Sequence, residues 1–138
     1  LQLWWFDKWD PSQLYYLQPG AIHYYLNSNL IKRTMIIKGF KMKLKPGFEA
    51  EYKKRHDEIW PGLLQLLKDA GISDYSIFLD KETNILFAVQ KLTDDNKNDE
   101  LPKTEIMKKW WDYMADIMEV NPDNSPVAVD LEQVFHMP

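Results

Sequence analysis

His56 is the side chain best suited to give and take a proton at neutral pH, because an unperturbed imidazole titrates near ~6.5. Tyr52 stands four residues before it. In a helix that spacing places phenol and imidazole on one face, where both could reach the same small ligand. The competing reading makes Lys53-Lys54-Arg55-His56-Asp57-Glu58 a solvated charged face. Trp110-Trp111 is the second feature with chemical content. Adjacent helical residues point about 100° apart, so one core contact does not easily use both indoles. An indole offers flat apolar area and one N–H donor, which suits a ligand with C–H faces ringed by hydroxyls, as a sugar has. The alternative is that both tryptophans are core or dimer contacts. Tyr75, beside Ser76, either projects towards the same helix face or fills the core as an ordinary sheet tyrosine.

Other chemistries lack their residues. The chain has three histidines and no cysteine, and no His-x-x-x-His or comparable ligand pair, so no metal site is expected. The five glycines are scattered, with no Gly-x-x-x-x-Gly-Lys or Gly-x-Gly-x-x-Gly cradle for phosphates. A serine nucleophile is equally unsupported.

These residues need elements to hold them. Phe40, Met42 and Leu44 alternate with Lys41 and Lys43, the period of a half-buried strand ending at Pro46-Gly47. Phe48, Tyr52, Ile59, Leu63, Leu66 and Leu67 then recur at helical spacing until Gly71, with Pro61 bending or dividing the helix. Tyr75, Ile77 and Leu79, the turn Asp80–Asn84 and the run Ile85–Val89 form a hairpin. The polar stretch Thr93–Glu100 leads through Pro102 into a helix carrying Ile106, Trp110, Met114 and Ile117, with Met107, Trp111 and Met118 beside them. Asn121-Pro122-Asp123-Asn124-Ser125-Pro126 stops that helix. Val129, Leu131, Gln133, Phe135 and Met137 then predict a last strand. The order β-α-β-β-α-β suits an α+β, ferredoxin-like sandwich: an antiparallel sheet covered on one face by two helices. The uncovered face favours pairing with a second copy, hence a homodimer.

At 138 residues the chain fits one domain. Residues 1–34 differ from the rest: they hold 8 of the 19 aromatics without any sustained period. They are expected to be an N-terminal extension outside the patterned domain of residues 35–138, as a leader, a cloning remnant or a misplaced translation start. The absence of cysteine points to a reducing compartment, and therefore to the cytoplasm. A net charge of −4 without a dense basic stripe argues against nucleic-acid partners. No run supplies the about 20 apolar residues of a membrane span.

Four segments taken together closely resemble the L-rhamnose mutarotase family: Tyr52–Pro61, Asp74–Asp80, Lys109–Met114 and Asn121–Pro126. The similarity runs from Met35 to Pro138, and its motifs keep the family's order and spacing. The resemblance implies a dimeric α+β barrel of ferredoxin-like subunits that interconverts the α and β anomers of L-rhamnose in bacterial rhamnose catabolism, without a cofactor. It implies His56 as the proton donor, with Tyr52, Tyr75, Trp110 and Trp111 contacting the sugar. The base stays open among Tyr52, Asp57, Asp80 and water. Three departures stand out: Lys54 where the family often has arginine, His136 where tyrosine is common, and no aromatic within Asn96–Leu101. The first replaces a planar fork with a point charge, which bears on substrate choice. The rival readings are a haem-binding protein on the same dimeric fold, with His56 on the iron, and a ligand-binding module that catalyses nothing.

Overall fold

In the computed structural model the described residues are 34–138, so the expected extension, residues 1–34, lies outside them apart from Thr34. Strand β1 (Met35–Lys43) is followed by helix α1 (Glu49–Asp57) and helix α2 (Pro61–Asp69). Strands β2 (Ile72–Asp80) and β3 (Ile85–Thr93) form the hairpin. A 3-10 turn (Asn98–Lys103), helix α3 (Glu105–Met114) and the short strand β4 (Val129–Leu131) complete the order.

The predicted first helix is two helices, because Pro61 divides it. Proline has no N–H to lose at a helix start, so it opens α2 at its first position, while Trp60 turns the chain with extended backbone. Gly71 closes the unit at φ +84°, a conformation costly for other residues, and a Cβ there would press on Thr93. The second predicted helix is shorter than its apolar pattern. It ends at Met114, yet Ile117 and Met118 remain buried because the chain there bridges to Leu44 at the sheet edge. The last strand is also shorter: residues 132–138 have no regular structure, and Val134, Phe135 and Met137 are largely exposed. Alternation in a terminal segment specifies a strand only where a neighbouring edge is there to pair with it, and β4 pairs only Gly39–Lys41 of β1.

The sheet order is β2-β3-β1-β4 with every pair antiparallel. β1 and β2 therefore run parallel on either side of β3, and the helices cover one face, which is the ferredoxin-like arrangement. The core lies between that face and the helices. Met42, Leu86, Ala88, Ile72 and Leu92 come from the strands and meet Leu63, Met107, Trp110 and Met114 from the helices. The outer face carries Phe78 opposite Phe87, with Val89, Val129 and Leu131 in the adjoining registers, all exposed.

One irregularity decides the site. The β2–β3 register jumps between Ser73 and Ser76, so Gln90 alone faces the two residues Asp74 and Tyr75. Asp74 absorbs the extra residue at φ 45°, a conformation aspartate tolerates better than most, and its carboxylate meets Lys91 on the outer side at 2.7 Å. Regular pairing continued from Ile72 and Ser73 would put Tyr75 opposite Val89 on the outer face; the bulge lets Ile72 and Tyr75 both face the helices.

Candidate active site

Tyr52 and His56 project from one face of α1, and their rings stack with centroids 4.2 Å apart. The imidazole is clamped from a second side by Trp110 of α3, edge-on at 5.5 Å. Trp60 holds that indole in turn, edge-on at 5.2 Å, and Tyr113 touches both indoles. From the sheet floor, Tyr75 leans over β3 to reach Phe40 on β1, with ring centroids at 6.2 Å. Ala88, paired with Phe40 and fully buried between those strands, is small enough to let the two rings approach. Tyr75 is close enough to Tyr52 to disfavour ionisation of the Tyr52 phenol.

Hydrogen bonding fixes the imidazole's orientation. Nδ1 lies 3.0 Å from the Tyr52 carbonyl oxygen, which can only accept, so the Nδ1–H donates and the neutral ring keeps its lone pair on Nε2. Burial lowers the His56 pKa below the usual histidine value, although the Tyr52 carbonyl and the nearby Asp57 charge pull the other way. At neutral pH the resting imidazole is therefore neutral. The phenols shift in the opposite direction. Desolvation raises Tyr52 well above an ordinary tyrosine, and it pushes Tyr75 up to about 12. Tyr75 is nevertheless 40% exposed, so solvent or a ligand can reach its side chain. Both hydroxyls stay protonated and able to donate.

Arg55, next to His56, fixes α1 against the end of α3. Its guanidinium meets the Asp116 carboxylate with two nitrogens at 2.7 and 3.1 Å, the Glu51 carboxylate at 2.8 Å and the Tyr113 carbonyl. It also stacks over the Tyr113 ring, 4.4 Å from its centre. The Asp116 hydrogen bond stabilises the guanidinium's charge, and the same contact lowers the Asp116 pKa. A rotation of α1 that carried His56 away from Trp110 would have to break this fork.

A family model described as L-rhamnose mutarotase matches residues 38–137. The chain belongs to the L-rhamnose mutarotase family. An L-rhamnose mutarotase of Bacteroides thetaiotaomicron is 66% identical over 98 residues, covering 71% of this chain and 94% of the relative. One of Mesorhizobium japonicum is 67% identical over 98 residues, covering 71% and 93%. The crystal structure of an L-rhamnose mutarotase from Formosa agariphila superposes with a TM-score of 0.70 at 59% identity, covering 75% of this chain and 99% of that one.

Among the residues singled out from the sequence of this L-rhamnose mutarotase family member, the structure brings Tyr52, His56, Tyr75 and Trp110 together. Trp111 is half-buried against the core and makes no ring contact with those four. The carboxylates considered as bases stand elsewhere. Asp57 pairs with Lys53 on the solvent side of α1, and Asp80 caps the hairpin turn through Thr83 and Glu82. His136 lies on the exposed tail. Sequence reasoning missed Trp60, Phe40 and Gln90. Gln90 did leave a signal: Leu86, Ala88, Gln90 and Leu92 form the inward row of β3, and Gln90 is the polar member.

Proposed function

We propose that this protein is a mutarotase that interconverts the α and β pyranose anomers of L-rhamnose through the open-chain aldehyde. The observation that carries the reading is His56: a neutral imidazole tied by Nδ1 to the Tyr52 carbonyl, held between the Tyr52 phenol and the Trp110 indole with its Nε2 lone pair unused. Mutarotation needs one proton removed from the anomeric hydroxyl O1 and one delivered to the ring oxygen O5. Those oxygens share C1, so one nitrogen can serve both.

Nε2 takes the O1 proton as the C1=O bond forms and the C1–O5 bond breaks, leaving its electron pair on O5. The imidazolium then protonates O5, which makes His56 the donor to the ring oxygen. Rotation about C1–C2 presents the other aldehyde face, and the same steps in reverse close the opposite anomer. The protonated hydroxyls of Tyr52 and Tyr75 donate to the sugar oxygens, while Trp110 and Trp111 support its apolar C–H surface. General acid–base catalysis of this kind contributes typically ~10²–10⁴-fold. The steps are proton transfers, opening and closing of the C1–O5 bond and a bond rotation, none of which calls on a cofactor.

The working unit is a homodimer in which two outer sheet faces meet through Phe78, Phe87, Val89, Val129 and Leu131, completing a dimeric α+β barrel. Its place is the cytoplasm, where L-rhamnose enters catabolism; no helix among the described residues is long and apolar enough to cross a membrane. Residues 35–138 carry the whole activity. NMR saturation transfer between the anomeric protons of L-rhamnose tests the function directly. Added protein should raise the exchange rate in proportion to its concentration, and exchange fixed at the protein-free rate would refute the reading.

A further inference from the structure

We propose that Gln90 is a specificity-determining residue of this site, its side-chain amide hydrogen-bonding a ring hydroxyl of the sugar other than the anomeric one. The inference rests on the mutarotase reading above. Gln90 is 4% exposed and lies in the inward row of β3, two residues from Ala88, over which Tyr75 and Phe40 meet. It is also the residue that faces the bulge, so the backbone carrying Tyr75 lies directly across the ladder.

Its amide has two donors and an acceptor, and among the described residues none of them has a partner. Lys38, its neighbour across β1, is turned to Asp130 at 3.4 Å instead. Asn84 Oδ1 is the one side-chain polar atom among the described residues that is both sealed from solvent and unpartnered. The Gln90 amide therefore opens onto accessible space rather than into packed core. An amide in this inward row forms no bond within the protein and must keep its contact with water or a ligand, whereas an apolar residue of the same length would serve the core better. A sugar hydroxyl satisfies it. His56 and Tyr52 approach from α1, whereas Gln90 rises from the sheet floor beside Tyr75. Gln90 therefore addresses a different edge of the pyranose from the one being opened.

The test is Gln90→Met, which keeps length and volume and removes both donors and the acceptor. KM for L-rhamnose should rise about 5–10-fold, the worth of a lost neutral hydrogen bond, with kcat within about twofold of wild type. The melting temperature should hold or rise, since no intraprotein bond is lost. The preference in kcat/KM for L-rhamnose over its C2 epimer (6-deoxy-L-glucose) or its C4 epimer (6-deoxy-L-talose) should narrow, and the epimer affected identifies the hydroxyl. Gln90→Asn, which withdraws the amide by one methylene, gives the same readout if the methionine variant does not fold. Unchanged KM and unchanged epimer preference in the folded variant would overturn the assignment while leaving the mutarotase reading intact. A wild-type protein that neither exchanges the anomers of L-rhamnose nor gains thermal stability from the sugar would sink both.

Discussion

Replacing His56 by asparagine tests the proposed chemistry most directly. The asparagine amide can reach roughly where Nδ1–H stands and keep the bond to the Tyr52 carbonyl, now 3.0 Å long. Nothing in the variant replaces Nε2. The loss should therefore fall on proton transfer: anomer exchange drops by about 10²–10⁴-fold, or roughly 3–5 kcal/mol of transition-state stabilisation. Stability should change far less. The ring gives up its stack on Tyr52 at 4.2 Å and its edge contact with Trp110 at 5.5 Å. Each such contact is worth about 0.5–1.5 kcal/mol, so melting falls by several degrees at most. The wild-type pH profile supplies a second arm. Burial lowers the His56 pKa, so the neutral base form prevails at pH 7, and the rate should be flat near neutrality and fall only below the ordinary histidine range. Saturation-transfer rates on L-rhamnose between pH 4.5 and 8 measure both arms. A variant that exchanges anomers at the wild-type rate would remove His56 from the mechanism, and a wild-type rate that climbs as pH falls through 6.5 would refute the neutral resting state.

The remaining predictions concern what surrounds the imidazole. Arg55→Met should cost about 2–3 kcal/mol in chemical denaturation, because several charge-assisted bonds go while both carboxylates stay accessible to water; no change in midpoint would show the fork to be idle. Asp116 has a folded pKa below its unfolded value, so its contribution is present above the unfolded value and lost as pH falls through the folded one; Asp116→Asn should flatten the acid limb of the stability curve. Trp110→Leu should lower both stability, by about 2–4 kcal/mol, and activity, because the indole is buried and touches His56; Trp111→Leu should act mainly on KM, and identical effects of the two changes would contradict the assigned division. Phe87→Lys should give monomers by light scattering if the outer face is the dimer surface, and a chain beginning at Met35 should retain exchange activity.

The strand order follows from features the sequence displays openly: period-2 runs, a turn at Asp80–Asn84 and helical stripes bounded by Pro61 and Gly71. Four of the five candidate residues stood out from local pattern, because an i, i+4 pair on a helix and a tryptophan doublet carry their geometry locally, although Trp111 packs apart from the other rings. What was hidden is tertiary. Nothing local announces that Tyr75 sits after an extra residue, since the bulge is defined only by the partner strand. Phe40 looked like plain core because its ring partner is 35 positions away on a strand not adjacent to its own. Arg55 lay inside a charged run that suggested solvent, yet Asp116 makes it one of the buried charges of the domain.

The bulge at Asp74 and Tyr75 makes the site depend on a count as well as on residue identity. A regular strand sorts its residues by odd and even number, and one added residue changes the parity of everything on one side of it. Deleting Asp74 would only remove the bulge, with Ile72 still opposite Leu92 and Tyr75 alone opposite Gln90, whereas deleting Phe78 would turn either Tyr75 and Ile77 or Leu79 to the outer face. No substitution at Tyr75 or its neighbours reproduces that outcome. Along this stretch the protein should bear changes of side chain far better than changes of length. A single-codon deletion at Phe78, silent by any measure of overall composition, should do more damage than most point mutations in the same strand.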